Sequence, residues 1–162
     1  MRKRYDWLVS MVNKMKYRYG AEVGAATGNT TIKIMQQCPL VDLIIVDDWR
    51  HITGSSQWNR RSMKKIFTDK LKNYAYRLTI LEGLSWHMAS QVGRESLDFV
   101  FIDASHDYDS VLKDLISWYL KVREGGLFCG HDLNLTGVRD ALNDFGIEYK
   151  ESGVDNVWYI EK

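Results

Sequence analysis

A chain of 162 residues, 45% of them hydrophobic, is sized for one compact domain with a core of its own. Its formal net charge of +1 excludes a bulk basic footprint for nucleic acid, and its apolar runs all fall short of the roughly 20 residues that span a bilayer. The opening MRKRYDWLVSMVNKMKYRYG has neither an uninterrupted apolar stretch nor a small-residue cleavage site, so a cytoplasmic protein without a membrane partner is expected.

Short apolar runs alternate with helical patterns along the chain, the signature of a parallel sheet covered on both faces. A helix over 5–16 precedes a strand at 20–23. A helix over 29–38 follows, stopped by Pro39 just past its end. Next come a strand at 41–46, a helix over 57–74, a strand at 77–81, a helix over 85–92 and a strand at 97–102. The helix over 109–121 shows its period clearly, with Val111, Leu115, Trp118 and Val122 on one face. A strand at 127–130, a helix over 136–145 and two late strands near 147–150 and 156–160 complete a single domain over 1–162. Residues 1–18 would be a helical cap over the sheet edge or the ligand mouth, and 19–162 the core. Cys38 and Cys129 lie beside or within apolar runs and lack metal-ligand spacing, so both read as small core residues.

Ligands of an open parallel sheet bind outside the carboxyl ends of the strands, so the residues leaving each strand carry the functional information. The first strand leaves through Glu22-Val-Gly24-Ala25-Ala26-Thr-Gly28-Asn29-Thr30. Gly24 and Gly28 let the backbone turn sharply and approach a ligand, and Asn29 or Thr30 can cap the next helix. A side chain added at Gly24 is expected to fill the ligand's path while leaving the chain folded. The dinucleotide fingerprint G-x-G-x-x-G/A, counted from Gly24, would put Asn29 where its last small residue belongs. Glu22 suits a ligand with an ammonium group, such as the methionine end of S-adenosylmethionine, and would repel a pyrophosphate.

The second strand ends in Asp47-Asp48-Trp49, about 20 residues beyond the glycine turn, where a carboxylate can accept both hydroxyls of a ribose. The third ends in Glu82-Gly83-Leu84-Ser85-Trp86: Ser85 can cap a helix, and Leu84 and Trp86 offer apolar surface for an adenine ring. The fourth and fifth end in Asp103-Ala-Ser-His106-Asp107-Tyr108 and Gly130-His131-Asp132. Neighbouring strands would bring Asp103, His106, His131 and Asp132 to one spot, where acid and imidazole groups point to chemistry.

Taken in order, Glu-x-Gly-x-x-x-Gly, Asp-x-Trp, Glu-Gly-x-Ser, Ile-Asp-x-x-His-x-Tyr-x-x-Val-x-x-Asp and Gly-Gly-x-x-x-Gly-His-Asp resemble class I S-adenosylmethionine-dependent methyltransferases. The resemblance is in particular to the small group related to macrocin O-methyltransferase and cephalosporin-hydroxylase-type proteins, and it runs from about Tyr19 to the C-terminus. It implies a doubly wound, mostly parallel, seven-stranded Rossmann-like α/β sheet with helices on both faces. The candidate cofactor-binding residues are then Glu22, Gly24, Ala25, Gly28, Asp47, Asp48, Gly83, Leu84, Ser85 and Asp103. The Asp-x-Trp pattern selects Asp47 over Asp48 for the stronger contact. Ala26 stands where many relatives carry glycine, and His131 where metal-using relatives often carry an acid.

On this reading His106 or His131 takes the proton of a small-molecule hydroxyl, and Asp103, His131 and Asp132 are the candidate ligands of a magnesium ion. Three rivals stay open: a nicotinamide-dependent reductase, a non-catalytic nucleoside-binding subunit, and a nucleic-acid methyltransferase. The last is suggested by Arg60, Arg61, Lys64, Lys65, Lys70 and Lys72; Met63, Ile66, Phe67 and Leu71 give that helix a buried face, so the charges read as its solvated side. The identity of the acceptor and the formation of a homo-oligomer are left open by the sequence.

Overall fold

A computed structural model describes residues 2–50 and 60–162; of Arg60 and Arg61 it describes the backbone alone. Five strands, β1 (Tyr19–Val23), β2 (Asp42–Asp47), β3 (Leu78–Glu82), β4 (Leu97–Ile102) and β5 (Val122–Gly130), run parallel. Two short strands, β6 (Lys150–Glu151) and β7 (Trp158–Glu161), close one edge, with β7 antiparallel to both β5 and β6. The order β3-β2-β1-β4-β5-β7-β6 reverses direction between β1 and β4, which opens the crevice where such sheets hold ligands.

Helices cover both faces. Against one lie α1 (Arg4–Met15), α2 (Asn29–Gln37) and α3 (Arg60–Leu71), whose Leu8, Val12, Ile34, Met35, Phe67 and Leu71 pack on Leu43, Ile45, Phe99 and Phe101. Against the other lie α4 (Ser85–Met88), α5 (Tyr108–Tyr119) and α6 (Thr136–Phe145), with Val111, Leu115, Trp118, Val138 and Leu142 on Val100, Ile102 and Phe128. Val111, Leu115 and Trp118 of the expected period are the buried face of α5, whereas Val122, expected on the same face, opens β5. Cys38 and Cys129 are free and buried in the core, as expected of small apolar residues. No helix among the described residues is long and apolar enough to cross a membrane.

Several boundaries differ from the sequence-based expectation for local reasons. The helix expected from residue 57 is described from Arg60, its first residues lying outside the described ones. It ends at Leu71 in a 3₁₀ turn, Lys72–Arg77. Arg77 is thereby taken from β3 and buried, where its guanidinium donates to the carbonyl of Met35 in the last turn of α2 and to those of Cys38 and Val41 just beyond it. That use of a cation suits the negative end of a helix dipole. β5 begins five residues early, at Val122, because the ladder shifts between the pairs Leu97–Val122 and Phe99–Leu127. The late strands lie further on than their hydrophobicity suggests: the turn between them is held by Ser152 N–H to Val157 O and Val157 N–H to Val154 O, with Asp155 and Asn156 left-handed. On α3, Lys64 pairs with Glu82, Lys65 with Asp69, and Lys70 donates to Asn29, the pattern of a solvated helix side.

Candidate active site

A cavity of about 490 Å³ lies across the carboxyl ends of β1 to β5. Every expected cofactor residue lines it except Gly28, and His106, His131 and Asp132 line it too. Gly28 stands at the start of α2 with φ 77°, and a Cβ there would meet Leu71 Cδ1 and Phe67 Cδ2 at 2.9 Å. Its small size serves the packing of α3 on the turn, so it is not a cavity residue. Asn29 and Thr30 also depart from expectation, since no side chain caps α2; Asn29 instead accepts from Lys70.

The glycine turn is held in shape from β2. Asp47 Oδ2 accepts from the backbone N–H groups of Ala25 (2.9 Å) and Ala26 (2.8 Å), and Oδ1 from Trp49 N–H (2.6 Å). The indole of Trp49, 1% exposed, donates in turn to the carbonyl of Ala26 at 2.8 Å. The Asp-x-Trp pair thus holds both polar groups of Ala26, its N–H by Asp47 and its carbonyl by Trp49. Ala26 is left-handed, φ 46°, a conformation that favours glycine and that the clamp makes obligatory. Burial raises the pKa of Asp47, and the three N–H groups work against that rise. Asp48 lines the cavity but accepts only from Arg50 N–H among the described hydrogen bonds. Asp47→Ala is therefore expected to weaken S-adenosylhomocysteine binding by roughly 1.5–3 kcal/mol, and Asp48→Ala by much less, as read by titration calorimetry. An equal or reversed pair of effects would reject the assignment.

Glu22, 1% exposed, forms the floor of the cavity and accepts from the Thr31 hydroxyl at 2.6 Å. Burial raises its pKa to about 8, against the opposing Thr31 hydrogen bond. At pH 7 the free chain carries this carboxyl protonated, and an ammonium group set beside it would drive the proton off. Binding of S-adenosylhomocysteine at pH 7 is expected to release close to one proton, seen as a buffer-dependent calorimetric heat, and Glu22→Gln should abolish the release. The same shift ties stability to pH. A carboxyl whose folded pKa lies above its ordinary 4.5 stabilises the fold fully below that value and loses the contribution as pH rises through about 8. Glu22→Gln should flatten that part of the melting profile.

The end of the cavity beside β4 and β5 gathers the histidines. His106 Nε2 lies 2.7 Å from Asp132 Oδ2, with the imidazole 39% exposed. His131, 11% exposed, sets Nδ1 3.0 Å from Asp132 Oδ1 and 3.4 Å from Asp103 Oδ1. Burial lowers the pKa of His131, but the hydrogen bonds to Asp103 and Asp132 outweigh it and raise the value to about 9. Asp132 follows the same contest: burial pushes it up, while the bonds from His106 and His131 hold it well below the usual carboxylate range. Its φ of 60° is strained for aspartate, a feature that concentrates at functional sites. Asp103, His131 and Asp132 offer ligand atoms within 4.8 Å of one another.

Arg4, unmarked in the sequence, and Asp114, the closing acid of the Ile-Asp-x-x-His-x-Tyr-x-x-Val-x-x-Asp run, complete the walls. Arg4, from α1, places Nε 2.9 Å from Asp103 Oδ2 in a charge contact rather than an aligned hydrogen bond, and its backbone N–H donates to Asp155. The N-terminal cap thus sits on the sheet face beside α2 and reaches the cavity mouth through Arg4. Ser85 does not cap α4; its hydroxyl donates to Asp114 of α5. Burial raises the Asp114 carboxyl to about 7. Its signal in the sequence was an acid on the apolar stripe of α5, one turn from Val111 and beside Leu115. Arg4 had none, because its partner lies 99 positions along the chain.

The solved structure of the O-methyltransferase TomG from Streptomyces achromogenes, in complex with SAM, is 16% identical, with 96% of this chain and 78% of that one covered and a TM-score of 0.71. SAH-bound Podospora anserina methyltransferase PaMTH1 is 14% identical over 99% and 79%, TM-score 0.73. The O-methyltransferase from Bacillus cereus in complex with SAH is 17% identical over 98% and 80%, TM-score 0.68. At these identities the likeness is one of fold. No curated protein matches the chain. The sequence model of the methyltransferase domain family matches residues 21–133, from the first strand through both histidine clusters, and the chain belongs to that family.

Proposed function

We propose that this methyltransferase moves the methyl group of S-adenosylmethionine to an oxygen of a small molecule. One observation carries the reading: a single cavity joins the Glu22 and Asp47 wall, fitted to a methionine ammonium and a ribose, to a solvent-reachable His106–Asp132 pair. The O-methyltransferase names of the TomG and Bacillus cereus structures, and the SAM or SAH they hold, support it.

The sulfonium supplies an electrophilic methyl carbon; the chain must align an oxygen with it and remove that oxygen's proton. Glu22 takes the ammonium, the N–H groups and clamp of the glycine turn fix the methionine path, and Asp47 faces the ribose. His106 receives the acceptor's proton on Nδ1, the nitrogen left free while Nε2–H donates to Asp132 and orients the ring. His131 is a poor base at neutral pH, because its two carboxylate neighbours keep it an imidazolium; it serves to fix those carboxylates.

The donor set of Asp103, Asp132 and His131 would suit a divalent ion once the His131 imidazolium has given up its proton, and the imidazole would shift its preference from magnesium towards a transition ion. Such an ion would be held by these three residues and would lower the pKa of an acceptor hydroxyl. It would share Asp103 with Arg4.

The test is transfer of labelled methyl from S-adenosylmethionine to a panel of small phenols and alcohols, with and without chelator. Label on oxygen with stoichiometric S-adenosylhomocysteine supports the proposal. Cofactor binding without turnover on any acceptor contradicts it and favours the non-catalytic nucleoside-binding reading.

A further inference from the structure

One buried ionisable group has no part in that mechanism. Asp114 is 1% exposed and lines the cavity where the turn after β3 meets α5. One of its oxygens accepts from the Ser85 hydroxyl; the other is buried without a hydrogen-bond partner. A carboxyl left half-satisfied on the apolar face of a helix is destabilising, so packing alone does not account for it.

Its effect falls on Ser85. A hydroxyl has one hydrogen and two lone pairs, and the hydrogen of Ser85 is committed to Asp114 when that carboxyl is ionised, so what Ser85 then offers the cavity is an acceptor. Leu84 and Trp86 flank it on the same wall, an apolar setting for a purine ring. An acceptor there matches the 6-amino group of adenine and opposes a 6-oxo group. Resting on the cofactor reading above, we infer that Asp114 is a positioning residue that, through Ser85, makes this site select a 6-amino over a 6-oxo purine.

The experiment is titration calorimetry of S-adenosylhomocysteine and its 6-oxo analogue S-inosylhomocysteine against the full chain, Asp114→Asn and Ser85→Ala. The unaltered chain is expected to prefer the 6-amino ligand by about 30-fold, since the 6-oxo ligand sets two acceptors against each other out of water. In Asp114→Asn the amide can donate to Ser85 and turn its hydrogen to the cavity, so the preference should fall to about three-fold or less. Ser85→Ala should lower the ratio likewise by removing the acceptor itself, at the cost of leaving the Asp114 carboxyl without its hydrogen-bond partner, and it decides the matter if Asp114→Asn fails to fold. A purely structural Asp114 would change both affinities together and leave their ratio alone. Ratios preserved in the folded variants, or a full chain that binds both ligands equally, overturn the inference while leaving the cofactor reading intact. A full chain that binds neither ligand overturns both.

Discussion

His106→Ala should lower the methyl-transfer rate about 100-fold, the scale of a lost general base, while S-adenosylhomocysteine affinity stays within a few-fold. The sequence offered His106 and His131 as equals, and the geometry separates them. His106 is 39% exposed at the cavity and touches one carboxylate through Nε2, so its other nitrogen, Nδ1, keeps the free lone pair a base needs once Asp132 has oriented the ring. His131 is 11% exposed and wedged between two carboxylates that hold its pKa at about 9. The hydrogen bond to Asp132 raises His106 above its ordinary 6.5, partly opposed by burial. The base form accordingly appears as pH climbs through that raised value, so the rate should increase with pH on the alkaline side of 6.5. His106→Gln should flatten this limb. An unchanged rate in His106→Ala would leave catalysis to alignment alone.

Gly24→Val should cost the fold roughly 3 kcal/mol, the sum of a left-handed β-branched residue and a steric conflict in a packed region, measured by urea unfolding. This replaces the expectation that a side chain here would fill the ligand's path in an otherwise intact protein. Gly24 has φ 92°, and a Cβ on it would lie 2.2 Å from the carbonyl oxygen of Asp103 and 2.5 Å from Ala104 Cα. Those are backbone atoms at the end of β4, and β4 is locked to β1 along Gly20–Phe99 to Val23–Ile102. Neither side can give without breaking the sheet. Gly28→Ala, by contrast, meets the side chains of Phe67 and Leu71, which can move a few tenths of an ångström, and should be the milder change. A stably folded Gly24→Val chain would show that the turn sits elsewhere.

The parallel sheet was legible because each of its strands is a short apolar run with a turn or helix signal behind it, and the strand-end acids and imidazoles were legible because they follow those runs directly. Glu22, Asp47, Asp103, His106, His131 and Asp132 all reach the cavity on that account. What the sequence hid is pairing between distant positions. Ser85 looks like a helix cap by its place in the chain, yet its hydroxyl is taken by Asp114, 29 residues on. Asp47 looks like a ribose ligand alone, yet three backbone N–H groups use it to shape the glycine turn. Gly28 looks like a glycine that brings the backbone up to a ligand and is a packing one. The last strands were misplaced because their limits come from a turn with left-handed Asp155 and Asn156, which hydropathy does not register.

A cavity built for S-adenosylmethionine should discriminate S-adenosylhomocysteine from NADH when the chain is titrated with each in turn. One-to-one binding of S-adenosylhomocysteine in the micromolar range, release of close to one proton at pH 7 and no saturable heat with NADH are expected. Saturable binding of NADH with none of S-adenosylhomocysteine would contradict that reading of the cavity.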